Sequence, residues 1–146
     1  MVIPATGQEW LFLCRDHFLL KQYLFILLKE IFMPILNYKD TPHVKLLPGI
    51  HGAFHHSDQL TFGHITLEEG AVLPDHQHIH EQWTHVIEGQ FEFNLDGQIT
   101  ILTPGISALI PSNTRHGGKA LTRCRMIDCF MPVREEYKNL ELWSEA

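Results

Sequence analysis

The stretch that decides the fold runs Gly70-Ala-Val-Leu-Pro-Asp-His-Gln-His-Ile-His-Glu-Gln-Trp-Thr-His-Val-Ile-Glu-Gly89. Between its two glycines it carries His76, His78 and Gln82 in the spacing G-x5-H-x-H-x3-Q-x6-G. His76 and His78 are two residues apart, so on an extended segment both imidazoles point to one side, and Gln82 keeps that parity. Glu81 is the obvious rival as a ligand, but one position of slip points it to the other face. Further on, Gly105, Pro111, Asn113 and His116 form G-x5-P-x-N-x2-H. His116 would then come from another strand to close a site. Two or three imidazoles with an oxygen ligand suit one divalent metal ion such as Zn, Ni, Fe or Mn. The competing reading is a set of surface histidines on a hairpin. A lone HxH would not outweigh it, whereas two spaced motifs with their glycines and proline do. His80 shares the ligand parity and either lines a pocket mouth or is a solvated loop residue. His55, His56, His64 and His85 are read as surface groups or supports of the ligands.

Outward from this stretch the pattern is one of short alternating runs. Leu60 to Leu67 alternates and ends at Glu69-Gly70, and Gln82 to Ile87 is closed by Glu88-Gly89. Phe91, Phe93 and Leu95 share a face before Asp96-Gly97, a strong hairpin turn signal, and Gln98 to Leu102 completes that hairpin. Pro104-Gly105 marks a further turn, and Ile106 to Ile110 and Cys124 to Met131 add two strands. Many short strands without intervening helices predict an all-β sandwich or barrel. Only Arg134 to Trp143 has helical character.

Composition narrows the function classes. The chain has 146 residues, enough for one ordinary domain, with 45% apolar residues and a net charge of −6. No basic stripe is present, which argues against a nucleic-acid partner. Nine of the 11 histidines lie between His43 and His85. The three cysteines, Cys14, Cys124 and Cys129, lack the spacing of a disulfide framework or thiolate metal site and fit small buried hydrophobes in a reducing, cytoplasmic setting.

The first 32 residues differ from the rest. Trp10 to Phe32 is rich in Leu, Phe and Ile but interrupted by charges, so it fits neither a signal peptide nor a membrane span. Phe18, Leu20, Leu24, Leu27, Leu28 and Ile31 could share much of one helix face. Residues 1–32 are thus either an amphipathic helix that packs on the barrel or a partner, or an upstream extension with the natural start at Met33. The second reading is favoured because residues 33–146 read as a complete domain.

In these two motifs the sequence resembles the cupin superfamily. That resemblance implies a double-stranded β-helix, or jelly-roll barrel, whose two motifs flank one metal held here by His76, His78, Gln82 and His116. Gln82 stands where cupins usually carry Glu, and Asn113 where they usually carry Gly. Four neutral ligands would leave the ion its full double charge and make it a stronger Lewis acid. Cupins of this size also lead one to expect a homodimer.

Asp128 sits in the middle of an apolar strand, where an unpaired carboxylate is costly. It is either paired with Arg134 or Arg123, hydrogen-bonded as a structural group, or functional. His78-Ile-His-Glu-Gln82, Glu88-Gly-Gln-Phe-Glu-Phe93 and the spacing D-x-F-x-P-x-R-E-x-Y from Asp128 to Tyr137 resemble the pectin-degradation cupins of the KdgF type. Those proteins linearise 4,5-unsaturated uronates to open-chain keto acids. By that likeness Asp128 would transfer protons, Arg134 would hold the substrate carboxylate and Phe130 would pack in the pocket. Two other classes stay open: another metal-dependent cupin enzyme, such as a dioxygenase or sugar isomerase, and a non-enzymatic cupin that binds a sugar or a metal.

Overall fold

The computed structural model describes residues 35–144. The expected extension over 1–32, the proposed start at Met33 and Cys14 lie outside the described residues. Everything below belongs to the compact unit Asn37–Ala146.

Ten strands follow one another: β1 (Val44–Leu47), β2 (Ile50–His56), β3 (Thr61–Leu67), β4 (Val72–His76), β5 (Glu81–Glu88), β6 (Phe91–Leu95), β7 (Gln98–Leu102), β8 (Ser107–Ile110), β9 (His116–Ala120) and β10 (Cys124–Met131). They form two sheets, ordered β1-β2-β3-β10-β5-β8 and β4-β9-β6-β7. Every strand pairing within them is antiparallel. The fold is all-β, as the alternating runs predict, with its strands in two antiparallel sheets. The stretch expected to be helical at the C-terminus is a five-residue 3-10 helix, Glu135–Asn139. Beyond it the chain runs extended, and Leu142 bridges to Val44.

Side-chain alternation builds the core. On β10, Cys124, Met126, Asp128 and Phe130 are buried while Arg125, Ile127 and Cys129 lie on the other face. The two cysteines therefore face opposite ways, as their odd separation requires. Ile50, Leu67, Val86, Phe91, Phe93, Leu102, Ile110 and Met126 fill the space between the sheets. Burying such side chains contributes about 1.5–3 kcal/mol each, against the entropy of ordering the chain.

Register then creates a polarity gradient along the barrel. Met126 lies opposite Val86, Asp128 opposite Thr84, and Phe130 opposite Gln82. Moving along β5 and β10 in this direction, the inward residues change from aliphatic to hydrogen-bonding within four positions. This polar end of the barrel is where the chain crosses between sheets at residues 77–80. Gly89 makes the tight exit from β5, with φ +88° and no room for a Cβ beside the Arg123 carbonyl. Asn113 adopts φ 59° in the turn before β9, which explains why Asn is tolerated where the family usually has Gly.

Candidate metal centre

Three elements bring the histidines together. His76 ends β4, His78 lies in the crossing between the sheets, and His116 opens β9 directly opposite His76 in the register. Their ligand nitrogens all lie within 4.8 Å of one another, so they could hold one metal ion. His76, His78 and Gln82 do not share a continuous strand, as His78 lies between β4 and β5. Gln82 joins from the start of β5 and is 5% exposed, whereas its neighbour Glu81 is exposed.

The protonation pattern follows from the hydrogen bonds. His76 Nδ1 donates to the Pro74 carbonyl over 2.9 Å, His78 Nδ1 to His80 over 3.0 Å, and His116 Nδ1 to Thr114 over 2.8 Å. A carbonyl only accepts, so each Nδ1 carries a proton, and a ring with no second proton presents a bare Nε2. His116 Nε2 is buried and has no hydrogen-bond partner. His78 Nε2 faces Gln82 Oε1 at 3.1 Å. With the proton on Nδ1 that is lone pair against lone pair, an arrangement a cation relieves. The alternative, a doubly protonated His78, is disfavoured: burial, the Arg134 charge and His116 lower its pKa to about 4. Burial also lowers His116. The donor set therefore fits a divalent ion.

Gln82 is oriented by its other end. Its Nε2 donates to Thr84 Oγ1 over 2.8 Å and to Asp128 Oδ2 over 3.1 Å. Asp128 is buried, and its Oδ1 has no hydrogen-bond partner. The ion pair that it could have made is absent among the described residues, because Arg134 pairs with Glu136 at 2.8 Å and Arg123 with Glu68 at 3.5 Å. Burial pushes the Asp128 carboxyl up to about 7, against the opposing pull of the Thr84 hydroxyl and the Arg134 charge. The group is thus a carboxyl poised near neutrality beside the candidate ligands.

Arg134 is held by packing as well as by charge. Its guanidinium lies 4.9 Å from the Phe130 ring centroid and 4.3 Å from that of Tyr137. His76, Gln82, His116, Asp128, Phe130 and Arg134 all border one cavity of about 50 Å³. A second hollow of about 330 Å³ adjoins it, bordered by Leu46, Leu73, Pro74, His76, Arg134 and Tyr137. All residues expected from sequence to serve the site therefore lie together.

Some assignments change. His80 is not solvated: it is 6% exposed, with Nε2 3.3 Å from the Val133 carbonyl and its ring against that of His78. His85 contacts Ser107 Oγ at 2.8 Å, and His64 stacks on Tyr38, both away from the ligands. Sequence reasoning missed Thr84 and, as a pocket wall, Tyr137. Thr84 carried a signal, since it shares inward parity with Gln82.

Residues 63–130 match the cupin domain family. The pectin degradation protein KdgF of Dickeya dadantii (strain 3937) is 32% identical over 83 residues, which span 56% of this chain and 76% of that protein. The structure of KdgF from Halomonas sp. superposes with a TM-score of 0.69 at 30% identity, covering 73% of this chain and 99% of that one. An RmlC-like cupin from Shewanella frigidimarina NCIMB 400 gives the same TM-score and identity over 73% and 96% of the two chains.

Proposed function

Since this chain belongs to the cupin family, with KdgF proteins among its relatives, we propose that it is a metal-dependent enzyme that linearises 4,5-unsaturated uronates to open-chain keto acids. The observation that carries the reading is the side-by-side placement of Asp128 and the candidate ligand Gln82, 3.1 Å apart in a buried pocket that also contains Arg134.

His76, His78, His116 and Gln82 would hold the ion. A divalent ion there supplies polarisation of the substrate's oxygens. In the reaction the C1 hydroxyl gives up its proton and the C1–O5 bond breaks. C1 becomes an aldehyde, O5 becomes the C5 ketone, and C4 gains a proton, so the product is an isomer of the substrate. Asp128 is the group that carries the proton. Its Oδ1 has no competing partner, and its raised pKa lets it accept and release near neutrality. Arg134 spends its Nε–H on Glu136, and its terminal amino groups are the clamp for the C6 carboxylate. Phe130 and Tyr137 both pack against that guanidinium, which restricts its movement. The substrate ring would occupy the larger hollow, whose aliphatic wall suits the flattened C–H face of an unsaturated ring.

The reading includes a homodimer, supported by the exposed, cross-strand neighbours Trp83 and Leu109 on the outer sheet face; light scattering tests it. The function itself is tested by adding an unsaturated monouronate and following loss of the ultraviolet absorbance of its conjugated C4=C5 bond. Loss faster than the spontaneous rate, with an open-chain keto acid as product, supports the reading. A rate equal to the spontaneous one rejects it.

A further inference from the structure

Gln82 is a two-faced ligand, because its amide can present either oxygen or nitrogen to the histidines. In the metal-free pocket a flip has something to offer. It would point NH₂ at the bare His78 Nε2, replacing lone-pair opposition with a hydrogen bond. It would also remove the oxygen from the cluster. What holds the amide the other way lies behind it. Both of its N–H groups are used, one on Thr84 Oγ1 at 2.8 Å and one on Asp128 Oδ2 at 3.1 Å.

In this orientation the Thr84 oxygen accepts one amide N–H and Asp128 Oδ2 accepts the other, since an amide nitrogen has only donors to offer. Thr84 is 2% exposed, so no bulk water takes either role. Its β-branched side chain on strand β5 is stiff at χ1, which holds the oxygen in place. The result is a buried amide whose two N–H groups each face an acceptor on a neighbouring strand position.

We propose that Thr84 is a positioning residue that, together with Asp128, fixes the Gln82 amide with its oxygen toward the three histidines. The inference rests on the metal reading of the site and is independent of the uronate reaction. Removing the hydroxyl leaves one buried amide N–H without a partner and lowers the cost of the flip.

The test is titration of the metal-free protein with Co²⁺, reading affinity by chelator competition and coordination from the visible absorption bands. Thr84→Val should bind Co²⁺ about 10–100-fold more weakly, with altered bands, as outer partners of metal ligands do when removed. Thr84→Ser, which keeps the hydroxyl, should restore both. Thermal melting of the metal-free variants confirms the fold, and Thr84→Ala serves if the valine variant does not fold. Wild-type affinity and bands in the hydroxyl-free variants would overturn the role of Thr84 while leaving the metal site standing, as would failure of serine to restore them. A wild-type protein that binds no Co²⁺ would overturn the metal reading and this inference together.

Discussion

His78 Nε2 and Gln82 Oε1 face each other across 3.1 Å with no proton available to either. Both are acceptors, because the His78 proton is spent on the His80 carbonyl and both Gln82 amide protons are spent on Thr84 and Asp128. Convergence of lone pairs in a buried pocket costs free energy in the absence of a cation. A cation held between these groups would relieve that opposition, and the predictions below follow from the proposed metal site.

The purified protein should carry about one divalent ion per chain, measured by elemental analysis. His76→Ala, His78→Ala and His116→Ala should each lose it, since each removes one of the three clustered imidazoles. Full occupancy in any of the three would show that its residue is not a ligand.

Gln82→Glu should retain metal, because carboxylate binds such ions at least as well as an amide. In the metal-free state it sets two buried carboxylates against each other and deletes two hydrogen bonds. The metal-free variant should therefore be less stable by about 1–3 kcal/mol. Adding Asp128→Asn should recover most of that loss in thermal melts. Turnover should fall in the single variant, as the added negative charge weakens the ion as a Lewis acid. Equal stability of wild type and Gln82→Glu would contradict the packing of these two side chains.

The pH dependence of the metal-free protein carries a sign. The Asp128 carboxyl is raised from 3.8 to about 7. Its contribution to stability is fully present below pH 3.8 and is lost as the pH rises toward 7, where the folded state must bury a charge. Relative to Asp128→Asn, wild type should therefore lose up to about 4 kcal/mol between these limits. His78 runs the other way: lowered to about 4, it stabilises above its ordinary 6.5 and is lost as pH falls through 4. Urea titrations of both proteins at pH 4.5 and 8 isolate the Asp128 part. A difference that grows in favour of wild type with rising pH would instead indicate an ionised, well-compensated carboxylate.

Arg134→Lys should raise KM by about 10–100-fold with a smaller change in kcat, the pattern of an anion clamp used equally in ground and transition states. Lysine keeps the charge but loses the planar, forked donors that clamp a carboxylate and the guanidinium's packing against Phe130 and Tyr137. Unchanged KM would remove Arg134 from substrate binding.

Much of this was legible from residue spacing. The three histidines and Gln82 were readable because their motifs place turn residues at fixed distances from the ligands, and the strands around Phe91, Gln98 and Cys124 because apolar residues alternate there. Strands β1, β2, β4 and β9 carried no such signal. Strand β9 reads His116-Gly-Gly-Lys-Ala, and β4 contains Pro74 and Asp75, both poor strand formers kept by pairing with each other. The partner of Asp128 could not be read either. Arg134 was near enough in sequence to pair with it, but Glu136 takes the guanidinium, and the carboxyl instead bonds Gln82, 46 positions away. Contacts of that separation depend on register, which no local pattern encodes.

The proposed reaction requires Asp128 to carry the proton beside a metal. The direct measurement is turnover of an unsaturated monouronate by wild type and Asp128→Asn at equal metal occupancy, followed by ultraviolet absorbance. The predicted result is a drop on the order of 10²–10⁴-fold in the variant, with metal content and thermal stability retained. Wild-type turnover in Asp128→Asn, or no wild-type turnover beyond the spontaneous rate, would contradict it.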